Sequence, residues 1–284
     1  MERAGDGVSD GTYDPARHYD RVTAAWTLLL GDDLHYGMFD DSADELATAT
    51  QRLTDTMAAA ANLSPRIEVL DVGCGTGAPA CFLAATYGAR VTGITTSPVG
   101  VDAARARASA LGLMDLVRFE QRDGMDNHLS AASFDRVWVL ESSHLMRQRD
   151  RLIAECARVL RPSGRLVLCD IMLRRPMLFE EVRRRLVALS LLRRVFGDSR
   201  MEQLSVYADL ARANGLIVEQ AVDLTAATRP TFARWRQNAQ RHRDEVVLSL
   251  GQTGWNDFVE SCSVLEGFWD DGTLGYGLLA ASRP

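Results

Sequence analysis

The segment that decides the fold is EVLDVGCGTG, residues Glu68–Gly77. The apolar run from Ile67 to Val72 predicts a buried strand, and glycines follow it at Gly73, Gly75 and Gly77. A glycine-rich turn between a strand and a helix allows the backbone to approach a bound ligand closely. The segment therefore predicts a ligand-binding turn at the carboxyl end of a strand.

Asp71 distinguishes between the two classes of cofactor that such a turn serves. The spacing Gly73-x-Gly75, followed by Ala78, also satisfies the looser form of the dinucleotide-binding pattern. A carboxylate two residues before the first glycine would repel the anionic pyrophosphate of a dinucleotide. A sulfonium cofactor with a free ammonium group tolerates that carboxylate, so Asp71 favours S-adenosylmethionine.

After this turn, short apolar runs alternate with segments of helical periodicity, a pattern typical of parallel α/β folds. We expect one structural domain with an N-terminal helical lid (residues 1–62), a cofactor-binding core (63–175), and substrate-cap helices with the last two strands (176–284). Further strands are predicted at Arg90–Thr95, Val117–Gln121, Phe134–Leu140, Arg165–Leu173, Leu216–Leu224 and Tyr276–Ser282. Helices are predicted at Pro15–Leu30 and Ser42–Ala61, from Pro98 to near Gly112, at Gln148–Leu160, between Pro176 and Gly197, and at Met201–Asn214 and Pro230–Trp269.

The composition restricts the partners of the chain. A net charge of −6 lacks the positive field that binds nucleic acid. The sequence has no apolar run of membrane-spanning length and no signal segment, which predicts a cytoplasmic protein without a membrane partner. Five cysteines without a CxxC pair predict no disulfide framework and no metal site. All 32 basic residues are arginine, which excludes lysine Schiff-base chemistry. The same bias indicates a GC-rich bacterial gene. A homo-oligomer is possible, and the sequence leaves the oligomeric state open.

Four motifs resemble those of the class I S-adenosylmethionine-dependent methyltransferases, and the resemblance covers nearly the whole chain. Glu68–Gly77 resembles the first motif of that family. Leu34–Gly37, Val91–Pro98 and Glu141–His144 are similar to bacterial natural-product methyltransferases that act on macrolide sugars and glycosides, and to tocopherol methyltransferases. The resemblance implies a Rossmann-like, seven-stranded, mostly parallel sheet with an antiparallel last strand beside strand five, and a helical cap.

The resemblance also implies how the cofactor is held. Asp123 would accept a hydrogen bond from the adenine amino group, and the aromatic loop around His35 would fold over the cofactor as a lid. Thr95 and Thr96 stand where many class I enzymes place an acidic residue that binds the ribose hydroxyls. The natural-product and tocopherol methyltransferases share this departure. The complete set of expected cofactor contacts is Asp71, Gly73, Gly75, Gly77, Thr95, Thr96, Asp123, Gly124, Met125, Glu141, Tyr19 and His35.

His144 is the candidate base for transfer to an oxygen. It follows strand four at the carboxyl end of the sheet, where open α/β sheets bind their ligands, and histidine titrates near neutrality. Asp170, near the end of strand five, would orient it, as the matching pair is thought to do in sugar O-methyltransferases of the resembled branch. Those enzymes often carry two successive histidines at this place, whereas His144 is followed by Leu145 in this chain. A purely structural role, in which His144 only forms hydrogen bonds at the strand end, therefore stays an alternative.

The segment Phe179–Phe196 is expected to form the substrate cap. It directly follows strand five, where related enzymes insert their cap, and its apolar positions near helical spacing predict a bulky, mostly hydrophobic acceptor. The arginine clusters at residues 183–185 and 193–194 would either meet an anionic group or form a solvated face, and the solvated face is favoured.

The sequence predicts a small-molecule methyltransferase of natural-product biosynthesis, with transfer to a hydroxyl oxygen favoured. Transfer to nitrogen, or to an alkene, prenyl or ring carbon, stays open, as does a cyclase that binds the cofactor without transferring its methyl group. Asp71 and the lack of a tyrosine–lysine pair disfavour an NAD-dependent dehydrogenase. Glu141–His144 replaces the proline-rich motif of enzymes that methylate exocyclic amines of nucleic-acid bases, which disfavours that class.

Overall fold

The computed structural model describes residues 25–284 of the chain. Tyr19 and most of the helix predicted at Pro15–Leu30 lie outside the described residues, and residues 25–30 are helical. The loop that follows carries the Leu34–Gly37 motif and leads into the first complete helix.

One seven-stranded sheet organises the described residues. Its strands are β1 Glu68–Val72, β2 Arg90–Thr95, β3 Val117–Gln121, β4 Phe134–Leu140, β5 Leu160–Leu173, β6 Ile217–Asp223 and β7 Leu274–Ser282. The order across the sheet is β3-β2-β1-β4-β5-β7-β6. Strands β1 to β5 pair in parallel, and β7 pairs antiparallel with both β5 and β6. The predicted sheet, with its antiparallel last strand beside β5, is therefore confirmed.

The helices follow the predicted order with shifted boundaries. The segment 179–196 breaks into two helices at Arg185, and the segment after Pro230 breaks at His242. Within residues 25–284, no helix has the length and apolar character needed to cross a membrane. The helices are α1 Leu46–Ala61, α2 Ala78–Tyr87, α3 Pro98–Ala110, α4 Arg149–Val159, α5 Phe179–Arg184, α6 Leu186–Phe196, α7 Leu204–Ala213, α8 Thr225–Thr228, α9 Thr231–Arg241 and α10 Arg243–Asp270, with a one-turn 3₁₀ helix at Ser143–Leu145.

The start of β5 differs from the prediction, which ended the preceding helix at Leu160, before the turn-like tripeptide Pro162-Ser163-Gly164, and began the strand at Arg165. The strand already begins at Leu160 and runs through this turn-like tripeptide. The end of the chain explains the difference, because Ser163 N–H donates to the Arg283 carbonyl and Arg283 N–H donates to the Gly164 carbonyl, both over 2.8 Å. Backbone pairing with the end of the chain thus extends β5 beyond what local turn propensity predicts.

Both faces of the sheet are buried, which explains the nearly continuous apolar runs of the central strands. Along β1, Val69 packs into one hydrophobic cluster with α1, α2 and the cap helices, and its neighbour Leu70 packs into the other with α4 and α7. Because successive side chains of a strand point to opposite faces, each central strand needs apolar residues at both positions.

The loop between residue 30 and α1 is fastened to the core by four consecutive backbone amides. Tyr36 N–H donates to Glu141 Oε1 over 2.7 Å, and Gly37 N–H donates to Thr231 Oγ1 over 3.1 Å. The next two amides, at residues 38 and 39, donate to the carbonyls of residues 49 and 227 over 2.9 and 2.8 Å. The loop is thus held by β4, α9, α1 and α8 at once.

Candidate active site

A cavity of about 380 Å³ opens at the carboxyl ends of β1, β2, β4 and β5. The strand ends form its floor, and the loop around Tyr36 and the cap helices form its walls. Of the predicted site residues, it is lined by Asp71, Gly73, Gly75, Thr95, Thr96, Asp123, Gly124, Met125, Glu141, His35 and His144. Gly77 and Asp170 do not line the cavity, and Tyr19 lies outside the described residues.

The three glycines of the turn have different structural roles. Gly73 has a φ of 80°, and a Cβ atom there would lie 2.2 Å from Ser142 Cβ. Gly75 has a φ of 52° and faces open space, so it leaves room for a ligand beside the turn. Gly77, expected to bring the backbone to the cofactor, instead faces the interior, where a Cβ atom would lie 2.7 Å from Ala104 Cβ. The third glycine therefore serves the packing of α2 against α3.

Asp71 supplies a buried carboxylate at the wall of the cavity. Its side chain is 2% exposed, and burial raises its pKa to about 7. No hydrogen-bond partner for Asp71 Oδ2 exists among the described residues. A buried carboxylate oxygen without a donor is unfavourable, and an ammonium group supplies both the donor and the opposite charge. The residues therefore fit the amino-acid end of S-adenosylmethionine.

Binding of S-adenosylhomocysteine, which carries the same ammonium group, is expected to weaken about fivefold from pH 7 to pH 6. The affinity falls with falling pH because protonation of Asp71, whose pKa is about 7, removes the charge that attracts the ammonium group. Isothermal titration calorimetry across this range measures the effect. The Asp71→Asn variant should bind weakly and show no such slope; an equal slope in the variant would rule Asp71 out as its source.

The predicted adenine and ribose contacts lie at the ends of β2 and β3. Asp123 is exposed, lines the cavity and accepts a hydrogen bond from Met125 N–H over 2.8 Å, which fixes the turn after β3. Gly124 beside it is closely packed, because a Cβ atom there would lie 2.6 Å from Val72 Cγ1. Thr95 Oγ1 accepts from Ser97 N–H over 3.3 Å, so its hydroxyl proton stays available to a ligand.

Glu141 joins three distant parts of the chain at the aromatic end of the cavity. Besides the Tyr36 amide, Glu141 Oε1 accepts a hydrogen bond from Tyr276 Oη over 2.5 Å. Burial raises the pKa of Glu141 to about 8 although both hydrogen bonds act to lower it. The Tyr36 ring stacks on Trp269 at 5.6 Å and lies 4.8 Å from the Trp235 ring. Of these rings, Tyr36 and Trp235 line the cavity, and aromatic groups there favour a cationic ligand.

His144 and Asp170 form a hydrogen-bonded pair at the cavity. The distance from His144 Nδ1 to Asp170 Oδ1 is 2.7 Å, and the His144 amide donates to Asp170 Oδ2 over 3.0 Å. Asp170 is fully buried; burial alone would raise its pKa, but the neighbouring His144 and the hydrogen bonds lower it below its usual value. Asp170 therefore acts on the cavity only through His144, which lines it.

The remaining wall of the cavity is apolar and comes mainly from the cap. Leu192 and Phe196 of α6 contribute to it, as the cap prediction for this segment requires. Other apolar contributions come from Trp26, Leu30, Met201, Trp235 and Leu265. Trp235 and Leu265 belong to α9 and α10, which carry no sequence motif, so sequence analysis missed them.

Comparison with known proteins gives the class of the chain. The methyltransferase domain family matches residues 70–168. The 27-O-demethylrifamycin SV methyltransferase of Amycolatopsis mediterranei (strain S699) is 36% identical over 94% of this chain and 95% of its own length. Methyltransferase GfsG of Streptomyces halstedii is 34% identical over 94% and 93%. The [4+2]-cyclase SpnF superposes with a TM-score of 0.80 at 26% identity, covering 95% of both chains.

The chain belongs to the S-adenosylmethionine-dependent methyltransferases, the class that the sheet order and the glycine-rich turn define. It is an enzyme that uses S-adenosylmethionine as cofactor and acts on a small-molecule acceptor.

Proposed function

We propose that this methyltransferase acts on a hydroxyl oxygen of a small, largely hydrophobic natural product, with His144 as the base. The observation that carries the proposal is the His144–Asp170 pair, which holds an imidazole at the wall of the cavity that also contains the cofactor motif. S-adenosylmethionine, when bound, supplies a methyl group already activated by its sulfonium. The protein's task is then to align the acceptor oxygen, exclude water and remove a proton.

The hydrogen bonds around Asp170 assign the tautomer of His144. Because an ionised carboxylate only accepts hydrogen bonds, the 2.7 Å contact places a proton on His144 Nδ1 and leaves the lone pair on Nε2. Nε2 would accept the hydroxyl proton, and Asp170 would stabilise the imidazolium that forms. Asp170 therefore acts as an orienting and charge-balancing residue.

The walls of the cavity support a bulky apolar acceptor. Leu192 and Phe196 line it, and no arginine of the two cap clusters does so. Arg193 and Arg194 instead form ion pairs with Asp198 and Asp257 at 3.3 and 3.1 Å, which supports the solvated-face interpretation. The name of the rifamycin-related relative places its methyl group on an oxygen of its own acceptor. The acidic net charge of −6 further supports a small acceptor over nucleic acid.

A non-methylating cyclase is the second candidate function, and the similarity to SpnF favours it. Such a protein would retain the cofactor motif and would also need a large apolar cavity. The His144–Asp170 pair is the feature that a cyclisation without proton transfer would not require.

Transfer of a labelled methyl group from S-adenosylmethionine to a panel of hydroxylated macrocycles and hydrophobic glycosides tests the proposal. Each acceptor is paired with its fully O-methylated analogue, which keeps the same scaffold but has no free hydroxyl. We expect label in the hydroxylated member of at least one pair and none in its analogue. Label in both members would indicate transfer to carbon or nitrogen, and conversion of an acceptor without any label would indicate a cyclase.

A further inference from the structure

A buried chain of hydrogen bonds leads away from the far side of the His144–Asp170 pair. Ser143 Oγ lies 2.5 Å from Asp170 Oδ2 and 2.7 Å from Tyr207 Oη. Arg149 Nε donates to the same Tyr207 oxygen over 2.9 Å. Asp170, Ser143 and Tyr207 are 0% exposed and Arg149 is 6% exposed, so the chain has almost no contact with water.

The donors and acceptors of this hydrogen-bond chain can be assigned in only one way. A guanidinium group only donates, so the Tyr207 oxygen accepts from Arg149. The ionised carboxylate of Asp170 only accepts, so Ser143 donates to it. The Tyr207 hydroxyl must then donate to Ser143. Every bond points toward the carboxylate, and successive bonds in such a chain polarise one another.

Arg149 brings a positive charge to the start of the chain without a direct counterion. Among residues 25–284 no carboxylate lies within ion-pair distance of Arg149, and its Nη1 atom has no hydrogen-bond partner. A buried guanidinium without an adjacent carboxylate is unfavourable for folding. The hydrogen-bond chain that starts at Arg149 ends on the carboxylate of Asp170.

The same arginine also holds the cavity wall. Arg149 Nη2 donates to the carbonyl of Arg200, and the Arg200 amide donates back to the His144 carbonyl over 2.7 Å. The residues on either side, Ser199 and Met201, line the cavity. Arg149 therefore connects His144 with the part of the cavity wall at residues 199–201.

We propose that Tyr207 and Arg149 are positioning residues: Tyr207 and Ser143 transmit the charge of Arg149 to Asp170, and Arg149 fixes the Ser199–Met201 wall against His144. This inference rests on the proposed function, in which His144 is the base. The roles of the two residues differ. Tyr207 takes part only in the hydrogen-bond chain, whereas Arg149 takes part in the chain and also holds the cavity wall.

The other titratable groups that influence Asp170 stay in place when the hydrogen-bond chain is interrupted. Arg149 begins α4 and Tyr207 belongs to α7, and both pack on one face of the sheet. The remaining groups are Glu141 at the end of β4, Cys169 on β5, Tyr276 on β7 and Tyr36 in the loop before α1. A Tyr207→Phe variant removes one hydroxyl and leaves all of them unchanged.

The pH dependence of kcat in Tyr207→Phe tests the inference. Without the Tyr207 hydroxyl, the bond from Ser143 to Asp170 remains but is no longer polarised by Tyr207 and Arg149. More of the negative charge of Asp170 then acts on the imidazolium, so the midpoint of the acidic limb should move upward by about 0.5 to 1 pH unit. KM should stay within about twofold, because the bond from Arg149 to the Arg200 carbonyl is intact. The matched control is Tyr87→Phe, whose hydroxyl lies 3.5 Å from Asp55 outside the site, and it should leave the profile unmoved.

Two further variants separate the parts of the proposal. Ser143→Ala removes the hydroxyl that donates to Asp170 and should reproduce the upward shift of the acidic limb. Arg149→Met should shift the limb and also raise KM several-fold, since it releases the wall as well. An unmoved limb in a folded Tyr207→Phe variant overturns the role of the chain, and an unchanged KM in a folded Arg149→Met variant overturns the role of the wall.

Nuclear magnetic resonance of ¹⁵N-histidine-labelled protein distinguishes failure of this inference from failure of the proposed function. The titration of the His144 imidazole is observed directly, without turnover, and should move in Tyr207→Phe as the acidic limb does. If His144 is not the base, the His144 variants keep their activity, while the His144 signal still shifts in the Tyr207→Phe protein. If the signal does not shift in Tyr207→Phe, the positioning role is wrong and the role of His144 is untouched.

Discussion

The His144→Gln variant is expected to lose about 10²- to 10⁴-fold in kcat for methylation of a hydroxyl, with little change in cofactor affinity. Glutamine keeps a hydrogen-bonding side chain of similar length but accepts no proton at neutral pH. Replacing the orienting carboxylate by Asp170→Asn should cause a loss of similar order, because an amide facing Nδ1 no longer favours the tautomer with a free Nε2. Steady-state kinetics with the acceptor found in the panel, together with cofactor titration, measure both effects.

His128→Gln is the matched control for this prediction. His128 is 77% exposed and does not line the cavity, so its replacement should leave kcat unchanged. A folded His144→Gln enzyme with near wild-type kcat would exclude His144 as the base. In that case an acceptor that ionises without help, or transfer to carbon, becomes the better explanation.

The Gly73→Ala variant is expected to be destabilised by about 2 to 4 kcal/mol and to bind cofactor poorly. The new Cβ atom would lie 2.2 Å from Ser142 Cβ, and a φ of 80° is unfavourable for any side chain. Ser142 does not yield easily, because its Oγ donates to the Val72 carbonyl over 2.7 Å inside the core. Urea denaturation monitored by circular dichroism measures the loss of the free energy of unfolding.

Alanine variants of two other glycines distinguish the cost of a steric collision from the cost of backbone strain. Gly75 and Gly112 have φ values of 52° and 67°, and a Cβ atom at either meets nothing within 4 Å. Their alanine variants should lose only about 1 to 2 kcal/mol of stability. Gly75→Ala should in addition weaken cofactor binding, because its methyl group faces the cavity, whereas Gly112→Ala should not. Equal destabilisation at Gly73 and Gly112 would contradict the collision with Ser142.

The parts of the site that sequence analysis predicted are those in which chemistry and local pattern lie within one short segment. The turn after β1 carries its glycines, its strand and Asp71 within ten residues, and His144 follows directly from the end of β4. Parallel strands bring such ends to the same edge of the sheet, so their approach follows from the predicted topology. The fold was predictable for the same reason.

The missed residues depend on packing between distant elements. Tyr276 reaches Glu141 because β7 inserts between β5 and β6, and Tyr207 reaches Ser143 because α7 packs beside α4. Neither residue stands in a motif. Gly77 shows the opposite case, since it has the spacing of a ligand-binding glycine while its neighbours in space, Ala104 and Phe119, require the absence of a side chain.

The four consecutive amides of the loop after residue 30 have a consequence for how ligands enter and leave. Tyr36 and the three residues after it are bonded to four separate elements, so the loop cannot swing open by breaking one contact. We expect these amides to exchange with deuterium slowly and as one cooperative block, in contrast to a hinged flap. We therefore expect ligands to enter and leave elsewhere along the rim of the cavity, and the residence time of the cofactor to be set by a part of the wall other than this loop.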